Sequence, residues 1–224
     1  MTDAKRPHRV LARDATGDRR SAPDVRIRFT TLGVPLGRLL IAATDRGVCA
    51  VRMGDNDAAL TRGLAREHPH ATLVRDDRGL RQWARAVLTY LRGRRPHLAL
   101  PLDVRGTAFQ QRVWRALQRI GYGETRTYGQ IARAVGDSRA ARAVARACAT
   151  NPVALVIPCH RVVRGDGQPG GYRWGARRKR WLLAREAMRR RGRGVAFQRA
   201  GMHSGAGGAP ALSARRTSSQ DFAT

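Results

Sequence analysis

Ala154-Leu155-Val156-Ile157 is an unbroken apolar run stopped by Pro158, and Cys159-His160-Arg161 follows at once. Such a run, ended by proline, reads as the end of a buried strand, because proline cannot continue a hydrogen-bonded ladder. The thiol is then carried on a rigid element to a point where the chain must turn. A cysteine is nucleophilic as its thiolate, and a neighbouring imidazole and cations lower its pKa from about 8.5 toward neutrality. His160 and Arg161 supply both within two residues. Taken alone, a structural cysteine that merely precedes a histidine is the commoner case. Both readings stay open until the rest of the chain is weighed.

At 224 residues the chain holds one domain of ordinary size or two small ones. Its 44 Lys+Arg against 16 Asp+Glu leave a net charge of +28, and nearly all the cations are arginine. That excess either answers a polyanionic partner, nucleic acid first, or is spread over solvated faces. No apolar stretch approaches the roughly 20 residues of a membrane span, so no membrane is expected as a partner. The basic segment Met1–Ala22 lacks the apolar core of a secretory signal. Cys49, Cys148 and Cys159 are too scattered for a disulfide framework or a zinc knuckle. The expectation is a cytoplasmic, nucleoid-associated protein with no metal and no cofactor.

Residues 1–22 carry charge without apolar period and read as a flexible basic leader. Val25 to Phe29 alternates as a strand, and Arg38 to Ala43 and Val48 to Val51 are two more, joined by the turn Thr44-Asp45-Arg46-Gly47. Asp57 to Glu67 reads as a helix. A stronger one follows, with Leu80, Trp83, Ala84, Val87, Leu88 and Leu91 at helical spacing. Pro96 to Pro101 is a natural boundary, giving a first lobe over 23–100 whose function is not legible from its pattern.

The second lobe, 101–189, opens with the capping box Thr107/Gln110 and the apolar stripe Phe109, Val113, Leu117 and Ile120. Gly121-Tyr122-Gly123 ends that helix. Tyr128 to Val135, the turn Gly136-Asp137-Ser138 and Arg139 to Ala149 then form a helix-turn-helix pattern. Arg177 to about Arg189 is the last expected helix, and 190–224, rich in Arg and Gly and then in Gly, Ala and Ser, reads as a disordered basic tail.

On Arg139–Ala149 the arginines at 139, 142 and 146 share one face, while Val144 and Cys148 take the opposite side. Alanines, Ala143 and Ala145 among them, fill most of the rest. Small side chains let a helix approach a narrow surface such as the minor groove, about 6 Å wide, although a solvated arginine face is the plainer alternative. Cys148 is expected to be structural. His160 needs an orienting carboxylate to act as a base. Glu186, which on the last helix lies angularly between Leu182 and Leu183 on a face that should be at least partly buried, is one candidate, and a surface ion pair with Arg185 or Arg189 is its dull alternative. Asn151 either ties the arginine helix to the reactive segment or caps that helix.

With these residues in view, the segment from Gly106 to Glu186 resembles the O6-alkylguanine-DNA alkyltransferases, and within them the C-terminal half of the Ada-type proteins. The resemblance is carried by Gly106-Thr107-Ala108-Phe109-Gln110, Gly123-Glu124-Thr125 with Tyr128, Arg142-Ala143-Val144 and Asn151. It continues through Ile157–Val163, Gly171-Tyr172-Arg173-Trp174-Gly175 and Leu182-Leu183 with Glu186. The N-terminal lobe resembles the family's small RNase H-like domain more weakly, and the two tails find no counterpart. The fold this implies is α/β (α+β). A small RNase H-like lobe precedes a helical lobe of winged helix-turn-helix type that binds DNA and carries the reactive cysteine.

The resemblance also implies roles. Cys159 is the acceptor of a methyl or larger alkyl group from O6-alkylguanine, and from O4-methylthymine, in double-stranded DNA. His160 deprotonates it through a water, and Glu186 fixes the imidazole. Tyr128 helps rotate the nucleotide and protonates the leaving guanine. Arg142 fills the vacated stack, with Arg139, Arg146, Ala143 and Ala145 on the DNA-binding helix and Asn151 as the hinge. Val162 (through its backbone), Tyr172 and Arg173 line the guanine pocket, where many members carry serine in place of Arg173. Repair is then a single event per molecule, by a monomer, after the base is flipped out of the duplex. The four-cysteine zinc module of full Ada-type proteins is absent from this sequence, so no regulatory role is carried over. Two rivals remain: a lesion-binding relative without transfer, against which Cys159 speaks, and a Cys-His-Glu hydrolase, against which Arg142 and the helix-turn-helix speak.

Overall fold

The computed structural model describes residues 11–12 and 25–201, with side chains described from 25 to 189. Met1–Arg190 forms one compact unit and Arg191–Thr224 another. Leu11–Ala12 (β1) pairs in parallel with Arg105–Gly106 (β6). The rest of the expected leader, and the expected tail beyond 201, lie outside the described residues.

Val25–Val34 (β2), Gly37–Thr44 (β3) and Gly47–Gly54 (β4) form an antiparallel meander, and its second turn is the one expected at Thr44 to Gly47. Asp57–Glu67 (α1) follows, its N-terminus capped by Asn56, whose side chain accepts the Ala59 N–H. Ala71–Arg75 (β5) then returns parallel to β2, so the sheet order is β4-β3-β2-β5. Arg81–Leu91 (α2) closes the lobe.

Side chains alternate across a strand, and here both faces are covered. Leu40 and Ala42 of β3 pack with Leu60 and Leu64 of α1. Leu39 and Ile41 face Val87, Tyr90 and Leu91 of α2 and the core of the second lobe. That is why β3 shows no polar alternation over Leu39–Ala43. The outer edge of β4 is satisfied by the second lobe, since Val51 donates to Pro152 O at 2.9 Å and accepts from Ala154 N at 3.0 Å. The segment leading to Cys159 is thereby bolted to the sheet.

In the second lobe Ala108–Gln118 (α3) begins at the expected capping box, and both of its reciprocal bonds are present. Arg126–Thr127 (β7) leads into Tyr128–Ala134 (α4), which has a capping box of its own at Thr127/Gln130. The turn to Ala141–Ala149 (α5) runs through Arg139 and Ala140, so Arg139 precedes the helix it was expected to open. Val162–Val163 (β8) pairs in parallel with β7, and Ala176–Gly201 (α6) is the last helix.

Two expectations are corrected. Ala154–Ile157 is not a strand. Val153 makes a single bridge to Val51, and the chain then turns, with Leu155 at φ 71°. Val153 to Ile157 are all buried, and a run buried on every side is apolar whether it is extended or turned, so periodicity cannot separate the two. A left-handed leucine costs roughly 1–2 kcal/mol and persists only where surrounding packing dictates it. The helix expected to stop near Arg189 continues to Gly201. No proline interrupts 190–201, and arginine, alanine and glutamine there favour helix enough to carry its glycines.

Candidate active site

Cys159 opens a one-turn 3-10 helix, Cys159–Arg161, and is only 4% exposed. Asn151, fully buried, reaches it: Nδ2 donates to Sγ at 3.1 Å and to Ile157 O at 2.8 Å. Its Oδ1 accepts the Val153 N–H at 3.0 Å. One amide therefore closes the buried turn and touches the thiol, just past the C-terminus of α5.

His160 is fully buried, with Nε2 at 2.9 Å from Glu186 Oε1. The other donors to that carboxylate fix the imidazole tautomer. Arg161 donates from Nε to Oε2 at 2.8 Å and from Nη2 to Oε1 at 3.0 Å, and the Gly123 N–H donates to Oε2 at 3.0 Å. Gly123 has φ 77°, the left-handed region glycine tolerates, and this aims its N–H at the carboxylate. Burial alone would raise the Glu186 carboxyl, but His160 and Arg161 hold it well below the usual range. A carboxylate only accepts, so Nε2 carries a proton and Nδ1 of neutral His160 offers its lone pair. Nδ1 has no hydrogen-bond partner among the described residues. Burial pushes the His160 pKa down against the pull of Glu186, which keeps it a base at neutral pH.

The expected lowering of the thiol by His160 and Arg161 is corrected here. Burial pushes Cys159 up from its ordinary value, opposed by Asn151 and the charge of Lys179. Arg161 turns away from the thiol and is spent on Glu186, Ile120 O and the Tyr90 hydroxyl. The resting group is a thiol, and it must hand its proton to a base as it reacts.

Cys159 opens into a cavity of about 520 Å³ whose walls include Tyr128, Ala145, Cys148, Tyr172 and Arg173. The Tyr128 hydroxyl is pushed up to about 12 by burial and by the two neighbouring thiols, so it stays a proton donor. The Tyr172 hydroxyl is buried with no partner among the described residues. Above the cavity α5 buries Val144, Ala147 and Cys148 and exposes Arg142, Ala143 and Arg146. Arg139, Arg142 and Arg146 have no ion-pair partner among the described residues, which leaves their charge open to solvent on this face.

Residues 27–104 match the family description "6-O-methylguanine DNA methyltransferase, ribonuclease-like domain", and 108–188 match the DNA binding domain of the same family. A methylated-DNA–protein-cysteine methyltransferase of Mycolicibacterium paratuberculosis is 42% identical over 163 residues, 71% of this chain and 92% of that protein. The chain belongs to the 6-O-methylguanine DNA methyltransferase family. The Escherichia coli bifunctional transcriptional activator/DNA repair enzyme Ada is 48% identical over 178 residues, 80% of this chain; the chain spans about half, 50%, of that relative's length. A Mycobacterium tuberculosis OGT structure in complex with DNA superposes with TM-score 0.63 at 38% identity, covering 74% of this chain and 94% of that one.

Within this fold the remaining expected residues are dispersed. The Val162 carbonyl accepts from Lys179 Nζ at 2.6 Å, leaving one lone pair for another donor. Arg173 borders the cavity but pairs with Glu67 of the first lobe and lies over the Trp174 ring at 4.9 Å. Ala145 faces the cavity rather than the outer surface, and so does Cys148, which was expected to be purely structural. Sequence reasoning missed three members. Lys179 sits in an Arg-Arg-Lys-Arg run that reads as solvated charge, yet it is fully buried. Gly123 was read as a helix stop and as part of the motif Gly123-Glu124-Thr125, with no role at the site. Tyr90 of α2 was not singled out, since it stands beside the apolar residues of that helix with no chemical neighbour in sequence. Among the described residues no cluster of three His, Cys, Asp or Glu side chains is placed to hold a metal, and no helix is long and apolar enough to cross a membrane.

Proposed function

We propose that this protein removes methyl and larger alkyl groups from O6-alkylguanine, and from O4-methylthymine, in double-stranded DNA by transferring them to Cys159. The single observation that supports it best is a buried thiol under an arginine-bearing helix, beside an imidazole that a buried carboxylate holds with one ring nitrogen free. The lesion is flipped from the duplex into the cavity, at a cost of a few kcal/mol that Arg142, inserted in its place, partly offsets. The thiol proton passes to Nδ1 of His160, by way of a water in the family's manner. Sγ forms a bond to the alkyl carbon as the carbon–oxygen bond of the base breaks. Tyr128 donates a proton to the departing guanine and recovers one from the His160 imidazolium through solvent. The product thioether is inert to water, so each molecule acts once, without cofactor.

On this reading 23–100 supports and 101–189 binds DNA and reacts; Asn151 is the hinge between α5 and the thiol. Val162, Tyr172 and Arg173 receive the base. The protein acts as a monomer in the cytoplasm, at the nucleoid. Cys159→Ala tests it: the variant should still bind duplex DNA, with affinity falling steeply as salt rises, and should transfer nothing. Transfer that survives in Cys159→Ala would refute the proposal.

A further inference from the structure

Tyr90 lies on α2, in the lobe that carries none of the reacting groups, and is 3% exposed. Its hydroxyl donates to Glu186 Oε1 at 2.6 Å, the same oxygen that holds His160 Nε2 at 2.9 Å. Arg161 Nη2 donates to the Tyr90 oxygen at 3.1 Å. With that lone pair taken, the single hydroxyl proton can point only at the carboxylate. Tyr122 meets the Tyr90 ring edge-on at 5.8 Å, which restrains the ring. Oε1 thus receives a short bond from a neutral donor in competition with the imidazole, in a buried site.

We propose that Tyr90 is a positioning residue that acts through Glu186 to set the basicity of His160, and so the pH above which Cys159 can be deprotonated and alkylated. The inference rests on the transfer reading above. A donor on Oε1 disperses the carboxylate charge, and an imidazolium beside it is stabilised less. With the hydroxyl present His160 stays neutral to lower pH and Nδ1 keeps its lone pair. The other charged or titratable groups around this pair are Arg161, Lys179, Tyr122, Tyr172 and Cys159. Arg161 and Lys179 favour neutral His160 as well, but both remain in a Tyr90→Phe variant. Burial and Glu186 push the Tyr90 hydroxyl well above its ordinary range, so it remains a donor throughout.

The test is Tyr90→Phe, which conserves ring and volume, read by single-turnover methyl transfer from duplex DNA across pH. The acid limb should move to higher pH by roughly half to one unit while the alkaline plateau is kept, as expected for losing one hydrogen bond to a charged group. In a Glu186→Gln background the same change should shift nothing. Alkylation of Cys159 by iodoacetamide across pH gives the same comparison without DNA, so a wild-type protein inactive on DNA would sink the transfer reading and leave this arm standing. A limb that stays in place, a loss equal at every pH, or a shift that persists in Glu186→Gln would each overturn the role of Tyr90. Proton NMR of the unaltered protein adds a check independent of any variant. A slowly exchanging Tyr90 hydroxyl proton close to His160 Nε2–H is expected, and its absence would count against the proposal.

Discussion

Asn151 shows how much one buried amide holds at this site. It satisfies Ile157 O and Val153 N within the turn and spends its remaining proximity on the thiol itself. Removing it leaves the buried Val153 N–H without a partner and strips one of the two donors from Ile157 O, which keeps the Cys159 N–H at 2.8 Å, at about 1–3 kcal/mol. Asn151→Ala should therefore lower the unfolding free energy read from urea titration by that amount and slow transfer, because the turn that presents Sγ loosens. A variant as stable and as fast as wild type would show that the turn holds itself. Cys148 makes the complementary point. Burial and the nearby Cys159 raise its thiol far above its ordinary value, and no base adjoins it. It shares the cavity with Cys159, and on the proposed function only the thiol with a relay reacts.

Among the elements, α5 is the one that joins the cavity to the arginine face. Its buried side carries Cys148 toward the cavity, and its exposed side carries Arg142 and Arg146. If Arg142 stabilises the flipped state, Arg142→Ala should slow transfer from duplex DNA roughly tenfold or more and leave reaction with the free base O6-methylguanine unchanged. Equal loss on both substrates would place the residue in the chemistry instead. The helices, the meander and the C-terminal end of α5 were legible, because capping boxes, turn residues and helical apolar spacing are local signals. The turn at Ala154–Ile157 was not, since complete burial erases period. Strand β5 was also missed: its burial is partial and irregular, and it is defined by pairing with the distant β2. For the site, Cys159, His160 and Glu186 could be singled out from residue type and position. Tyr90, Gly123 and Lys179 could not, because each becomes chemical only through a partner remote in sequence.

For the whole molecule, the first lobe serves the second directly. The β4 edge holds the segment before Cys159, and α2 delivers Tyr90 to Glu186. The same buried relay makes stability depend on pH. His160 and Glu186 both have folded pKa values pushed below their ordinary ones, so the unfolded chain binds protons more tightly at each. Their contributions are present above the unfolded values and are lost as pH falls, from about 6.5 for the histidine and about 4.3 for the glutamate. Urea midpoints measured from pH 8 downward should fall in those two windows, and Glu186→Gln should remove the lower one. A flat profile would mean that the pair is not buried as described.

The central claim is that Cys159 is consumed as a reagent. It is tested most directly by incubating the protein with duplex DNA carrying one isotopically labelled O6-methylguanine and locating the label by peptide mass spectrometry. The label should appear on the Cys159 peptide, at no more than one methyl group per protein molecule however large the excess of DNA. Label on any other residue, or many methyl groups removed per molecule, would contradict it.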